Sequence, residues 1–451
     1  MTLPSAFLIG GTASGSGKTT LTLGIMAAFK ARGLLVQPFK CGPDFIDPSL
    51  HRMVTGEISS NLDLRMCGKE FCNHIFHKRL NNKDVAVVEG VMGLFDGGIA
   101  SSAALAQELR LPVILVVDAR SAAESVAAVV KGFEVYSADV VIAGVIFNRV
   151  GSSRHRELIE RGMAGICSVK ILGFFPRDIR FEIPDRHLGL HMGEEKPLDD
   201  LQVTQLVQAV EKHIDLDLLL EISLRPQTSQ GKLSNISPKK TKMLRLAVAR
   251  DKAFCFYYED NLELFAASGI ELAFFSPLSD SRLPVGCKGI YFGGGYPELH
   301  AGALSDNWQM LSAVREFGRS GGIVLGECGG FMYLCDQITT NDQQSHGMTG
   351  LFPFKVLMKE RLSRLGYRRP KLIRDCFLGR KGQELHGHEF HYSELIDIPK
   401  SVTTLYQLSD NTQEGYTCKN VIGSYVHLHF ARSTVNIQSF IHHLEQSKVS
   451  T

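Results

Sequence analysis

Short runs that are apolar at nearly every position recur along the chain, each closed by glycine, proline or a polar residue. A strand with one wet face alternates, so uniformly apolar runs predict strands buried on both faces of a parallel sheet. They fall at Ala6–Ile9, Val36–Lys40, Asp84–Val88, Leu111–Val117, Val140–Phe147 and Val169–Phe174. Lys18–Lys30 and the stretches near 100–109, 121–135 and 154–166 read as helices between them. Strands alternating with helices predict a doubly wound α/β domain over 1–222. The pattern restarts with strands at Leu244–Ala249, Glu271–Phe275, Ile290–Phe292 and Gly322–Leu325 and a helix over 258–268, which predicts a second α/β domain over 244–451. Residues 223–243 are rich in Pro, Ser, Gly and Lys/Arg and hold no acid, so they read as an exposed linker.

The first apolar run opens into Gly10-Gly11-Thr12-Ala13-Ser14-Gly15-Ser16-Gly17-Lys18-Thr19-Thr20. A strand, a glycine-rich loop and a helix starting at Gly-Lys-Thr form the setting of a phosphate-binding loop. Gly15 and Gly17 let backbone N–H groups turn inward, and the helix N-terminus adds partial positive charge. Lys18 is placed to meet the β- and γ-phosphates of a nucleotide, with Thr20 beside it, and the Thr19 hydroxyl to meet Mg²⁺. The glycine before the loop stands one residue earlier than in the common motif, which makes the loop longer.

Polar groups follow the other strands at the end where open α/β sheets bind ligands. The second run ends in Lys40-Cys-Gly-Pro-Asp44-Phe-Ile-Asp47-Pro. Asp44 is a candidate Mg²⁺ ligand, and Asp47 can do the same or position a substrate; both also suit a turn. Glu89 directly after a buried strand takes the place of a second metal carboxylate, and Asp96 is a weaker candidate or a helix cap. Asn148, at another strand end, can meet a nucleotide base edge or cap a turn.

In the second domain the strand Gly322–Leu325 runs into Gly326-Glu327-Cys328-Gly329-Gly330. A cysteine between glycines on a strand-to-helix turn is the nucleophile-elbow arrangement with sulfur in place of oxygen. The helix N-terminus is expected to lower the thiol pKa and favour thiolate. Gly329 N–H and one from Gly293–Gly295, with Gly294 chosen, are the candidate oxyanion donors. A nucleophile needs a base, and His427 in Gly423-Ser-Tyr-Val-His427-Leu-His429 is the choice. The cluster His386-Gly-His388-Glu389-Phe-His391 lacks the His-Glu-x-x-His spacing of a zinc helix, so no metal is expected there.

At 451 residues the chain is long enough for two to three domains, and 44% apolar with 21% charged residues is the composition of a soluble globular protein. A net charge of +2 argues against bulk nucleic-acid binding. No stretch reaches the ~18 apolar residues of a membrane helix, and the N-terminus lacks the basic start of a signal peptide. Ten cysteines without a Cys-x-x-Cys pair read as reduced thiols of a cytoplasmic enzyme.

The second domain resembles the class I, triad-type glutamine amidotransferases through Gly293-Gly294-Gly295, Gly-Glu-Cys328-Gly-Gly and His427. One position departs: where those enzymes carry Glu two residues after the base, this chain has His429, so the third triad member is either missing or supplied elsewhere, with Glu389 a candidate; the cobalamin-pathway branch is similar in lacking that Glu. The first domain resembles dethiobiotin synthetase through the long phosphate loop, Lys40, Val-Val-Glu89-Gly and Asn148-Arg-Val. Their order, with Phe-Lys40-Cys-Gly-Pro-Asp-Phe-Ile-Asp-Pro and Gly-His-Glu-Phe-His-Tyr-Ser, resembles the cobyrinic acid a,c-diamide synthase family over nearly the whole chain. The fold implied is α/β with two doubly wound domains, an N-terminal P-loop parallel sheet and a C-terminal flavodoxin-like glutaminase.

The resemblance implies ATP- and glutamine-dependent amidation of two acetate carboxylates on a tetrapyrrole, with Mg²⁺ and ATP held by Lys18, Thr19, Glu89 and Asp44. It places Lys40 and Asp47 near the reacting carboxylate. The partners implied are glutamine, ATP and a tetrapyrrole polycarboxylate; the oligomeric state stays open, a homodimer among its readings. The basic run Arg361, Arg364, Arg368, Arg369, Lys371 and Arg374 suits propionates or a solvated face equally. Hydrogenobyrinic acid and nickel-sirohydrochlorin are alternative substrates, and a P-loop switch ATPase with a degenerate glutaminase domain is the alternative of another class.

Overall fold

A computed structural model of the chain describes residues 4–177, 185–186, 189–190, 192–195, 197–223, 244–432 and 434–451. The expected linker lies outside the described residues, apart from its first position. The chain divides into two compact units, Met1–Leu233 and Ser234–Thr451.

Seven strands build the first unit: β1 (Ser5–Gly11), β2 (Val36–Cys41), β3 (Ser60–Leu62), β4 (Val85–Glu89), β5 (Val113–Asp118), β6 (Ile142–Val150) and β7 (Lys170–Pro176). Their order is β3-β2-β4-β1-β5-β6-β7, and every neighbouring pair is parallel. β1, β2 and β4 are buried along their whole length, which explains the uninterrupted apolar runs. The parallel register sets Lys40 of β2 opposite Glu89 of β4, and Ile9 of β1 opposite Glu89 on its other side. β1 then leads into the loop and helix α1 (Lys18–Ala31), so the strand ends gather loop, lysine and acid at one edge of the sheet. A second helix, α2 (Ile46–Thr55), follows β2, and its first three residues stand where the sequence reads as loop. Its Pro48 is the third helical residue, a position whose N–H has no intrahelical partner. Leu206 and Val210 of the helix Asp200–His213 cover α1 in the same core cluster as Phe7, Ile9, Leu23 and Met26.

The second unit has an eight-stranded sheet. Its strands are β8 (Leu244–Ala249), β9 (Ile270–Phe275), β10 (Gly289–Phe292), β11 (Ile323–Glu327), β12 (Lys371–Leu372), β13 (Thr403–Gln407), β14 (Gln413–Cys418) and β15 (Val421–Ser424). The order is β9-β8-β10-β11-β15-β14-β13-β12. The first five positions are parallel, and β15 to β12 run antiparallel. After Ser424 the chain leaves this sheet, and Val426–Leu428 joins Arg364–Arg368 and Gly387–His391 in a separate antiparallel sheet of three. Among the described residues no helix is long and apolar enough to cross a membrane.

Candidate active sites

In the first unit the loop between β1 and α1 is braced by its carbonyls. Asn148 Nδ2 donates to Ser16 O at 2.9 Å, and Arg149 Nη1 donates to Gly15 O at 2.8 Å while lying 2.5 Å from Asp118 Oδ2. Gly15 and Gly17 sit in the left-handed region at φ +73° and +92°, and a Cβ on Gly17 would lie 2.0 Å from Asn148 Nδ2. Asn148 thus meets the loop backbone, and its Oδ1 accepts from Arg149 N at 2.9 Å. Lys18 folds over the loop, donating to Ala13 O at 3.1 Å and Met92 O at 2.6 Å. Burial, then the Lys40 charge, hold its pKa below the ordinary lysine value. Thr20 follows half-buried in the first turn of α1. Ser16 Oγ is buried with no hydrogen-bond partner, a donor that a phosphate oxygen would satisfy.

Beside the loop stands a buried ionic cluster. Glu89 Oε1 accepts from Thr19 Oγ1 at 2.7 Å and from Lys40 Nζ at 3.1 Å, and Glu89 Oε2 lies 2.6 Å from His51 Nε2. Lys40 Nζ also meets Asp47 Oδ2 at 2.5 Å and Gly90 O at 3.1 Å. Burial alone raises a carboxyl pKa, but the Lys40 charge and the His51 hydrogen bond outweigh it and keep Glu89 ionised, well below the carboxylate range. Burial lowers Lys40 in turn, yet Asp47 and Glu89 hold it above its ordinary value, as an ammonium. Asp44 takes the turn-forming part, its Oδ1 accepting from Ile46 N at 2.7 Å and Asp47 N at 3.2 Å. Asp96 Oδ2 likewise accepts from Gly93 N at 3.0 Å. Thr19 and Glu89 are hard oxygen donors in contact at the start of α1, a set that suits Mg²⁺ beside phosphates. The sequence reasoning missed His51. The signal was its spacing, four residues after Asp47 and so on the same face of a helix.

In the second unit Cys328 directly follows β11 at φ 46°, ψ −107°, an uncommon backbone state for a residue with a side chain. Its N–H donates to Ser424 O of β15 at 2.8 Å, its sulfur lies 3.7 Å from Phe390 O, and Gly329 N–H bonds the sulfur. The expected thiolate is corrected here. Burial, followed by the Glu298 charge, pushes the thiol well above its ordinary value, and the helix that follows is only Gly329–Leu334. The resting group is therefore a thiol, and a base must take its proton.

His427 lies on Val426–Leu428, directly across from His388. Burial first, then the neighbouring His388 and His391, lower it to about 3, which keeps the imidazole neutral. The choice of Gly294 as oxyanion donor is also corrected. Its N–H donates to Phe256 O at 3.2 Å, and its carbonyl accepts from Phe256 N at 2.9 Å. What Gly294 supplies is space, since a Cβ there would lie 2.3 Å from His427 Cε1. Gly295, at φ +151°, has its nitrogen 3.0 Å from where a Cβ on Gly329 would be, which puts it beside the other donor.

Glu389 is buried and bonded to His391 Nε2 at 2.9 Å and Arg368 Nε at 2.5 Å. Across the strands it faces Val426, one position from the base. His429 is held to about 3 by burial, with Nδ1 accepting from Ala431 N at 3.2 Å. Two members of the basic run are already paired, Arg368 with Glu389 and Arg369 with Glu384 at 2.7 Å. The sequence passed over Glu327, whose Oε1 accepts from Leu428 N at 3.0 Å and whose Oε2 accepts from Tyr291 OH at 2.8 Å. It ties the strand that leads to Cys328 to the strand of His427, and burial raises its carboxyl to about 8. A glutamate at the end of an otherwise apolar strand was the signal.

Comparison with known proteins covers both units. Residues 7–190 match the family described as the CobQ/CobB/MinD/ParA nucleotide binding domain. Residues 245–435 match the CobB/CobQ-like glutamine amidotransferase domain. Curated relatives extend over nearly the full length. A cobyrinate a,c-diamide synthase of Caldanaerobacter subterraneus subsp. tengcongensis is 39% identical, covering 96% of this chain and 97% of its own. The enzyme of the same name from Salmonella typhimurium is 38% identical, covering 97% of each chain. That from Priestia megaterium is 39% identical over 98% of this chain and 97% of its own.

Proposed function

The chain belongs to the cobyrinate a,c-diamide synthase family, and from that premise we propose that it converts the a and c acetate carboxylates of cobyrinic acid to amides with ATP and glutamine. The observation that carries the reading is the presence in one chain, over nearly its full length, of the nucleotide-binding and the glutamine amidotransferase families. A carboxylate is a poor electrophile. Transfer of the γ-phosphoryl group of ATP to it releases ADP and leaves an acyl phosphate. Ammonia then attacks the acyl carbon, and phosphate departs. The same two steps on the second acetate complete the diamide.

In the first unit, Lys18 and the backbone of Gly15 and Gly17 would hold the phosphates, with Thr20 beside them and Asn148 bracing the loop. Thr19 and Glu89 would hold Mg²⁺, with Asp44, whose Oδ1 makes the turn, as a further ligand through its other oxygen; the chemistry of the ion is to neutralise charge on the phosphates. Lys40 and Asp47 would meet the reacting carboxylate. In the second unit, His427 takes the Cys328 proton as sulfur attacks the glutamine amide carbon. Gly329 N–H holds the oxyanion, with Gly295 the neighbouring donor. His427 returns the proton to the leaving nitrogen, ammonia departs, and water hydrolyses the thioester to glutamate.

Mass spectrometry tests this directly. Cobyrinic acid, hydrogenobyrinic acid and nickel-sirohydrochlorin are each incubated with the protein, Mg·ATP and glutamine. The expected result is two successive losses of about one mass unit on cobyrinic acid, as each OH becomes NH₂, with ADP released in step. Amidation of one of the other macrocycles alone would reassign the substrate. No mass change on any of them would overturn the proposal.

A further inference from the structure

The ammonium of Lys40 has three N–H donors, and three acceptors surround it: Asp47 Oδ2, Glu89 Oε1 and Gly90 O. Glu89 Oε1 is the same oxygen that accepts from the Thr19 hydroxyl. The lysine charge therefore rests on an oxygen of the pair best suited to a divalent ion. The side chains are almost sealed from water, at 4% exposure for Lys40, 8% for Asp47 and 0% for Glu89. Two buried carboxylates without a cation repel each other and are costly to desolvate. A dication arriving beside an ammonium is repelled in its turn. The lysine also has no donor left for a substrate carboxylate while it holds all three acceptors.

We infer that Lys40 is the resident cation of the nucleotide site before nucleotide binds, and that Mg·ATP moves its ammonium off Glu89 and frees a donor for the carboxylate to be phosphorylated. Nucleotide then binds before the macrocycle carboxylate is gripped. The inference rests on the reading of the first unit as an ATP site, and it goes further by assigning an exchange of cations to one side chain.

The test uses the full chain and Mn²⁺ as the probe, read by electron paramagnetic resonance without nucleotide. Lys40→Met leaves Glu89 and Asp47 without their cation. It should bind Mn²⁺ at least about tenfold more tightly than wild type, a change near 1.4 kcal/mol, and Mn²⁺ should raise its Tm more than that of wild type. Lys40→Met combined with Glu89→Gln should return to the weak binding of wild type. Equal Mn²⁺ affinity in wild type and Lys40→Met would overturn the inference. Should Lys40→Met not fold, a crystal structure of the wild-type protein with Mg·ADP decides. Lys40 Nζ beyond hydrogen-bond reach of Glu89 and still on Asp47 supports the exchange, and an unbroken contact with Glu89 overturns it. Calorimetry of wild type with Mg·ADP separates the two levels. Absence of binding overturns the ATP-site reading itself, whereas binding with no Mn²⁺ effect in Lys40→Met overturns the cation exchange alone.

Discussion

Replacing Gly294 by alanine adds one methyl group at the point where His427, the proposed glutaminase base, is packed. The added carbon would lie 2.3 Å from His427 Cε1, with His427 Nε2 at 3.2 Å and Nδ1 at 3.3 Å. Ordinary carbon contacts begin near ~3.5 Å, so the ring has to retreat by about 1 Å. Gly294 cannot yield instead, because two backbone hydrogen bonds tie it to Phe256. A shift of about 1 Å in a catalytic group costs roughly a hundredfold in rate. Glutamine-dependent ADP release and glutamate formation should both fall by about that factor. Activity with ammonium chloride should stay at the wild-type level, because the methyl group is added in the other unit. Glutamate production in Gly294→Ala within about twofold of wild type would refute the packing argument. Equal loss with both nitrogen sources would show that the variant damages more than the base.

Three further outcomes follow from the geometry. Gly17→Ala combines a left-handed backbone with a carbon 2.0 Å from Asn148 Nδ2, so calorimetry with Mg·ADP should show affinity weakened by about tenfold or more while glutaminase activity persists. His51→Leu leaves a Glu89 oxygen and the Ser59 hydroxyl without their partner, and chemical denaturation should report about 3 kcal/mol lost, with His51→Gln losing less. Glu327, held at about 8 against an ordinary 4.5, stabilises fully below pH ~4.5 and loses that contribution as pH rises through about 8, about 5 kcal/mol in all. Thermal melts of Glu327→Gln should therefore decline less between pH 6 and 9 than those of wild type, and parallel curves would show that Glu327 does not titrate there.

The first unit was legible because parallel strands buried on both faces leave uninterrupted apolar runs, as β1 and β4 do. Helix α2 was not, since Asp44, Asp47 and Pro48 read as turn formers; Asp44 does form the turn, and Pro48 falls inside the first helical turn. That loss hid His51. In the second unit several strands after residue 337 are short and part-exposed, Gln337–Thr339, Ser345–Gly347 and Lys355–Met358 among them. Cys328 and His427 stood out by their neighbours. The direction of the Gly294 N–H and the thiol pKa did not, because both depend on what packs against them: the Phe256 backbone in one case, and a buried setting beside Glu298 in the other.

Cys328 follows a strand of one sheet and His427 lies on a strand of another, with the chain changing sheets at Tyr425. That single residue is the corner between the two sheets, and it is held in place. Its amide is pinned by Glu414 Oε1 at 2.8 Å, and Ser424 Oγ by the other oxygen of Glu414 at 2.7 Å. The position of His427 relative to Cys328 is therefore set at one corner of the chain, by a carboxylate that belongs to a third strand, Gln413–Cys418.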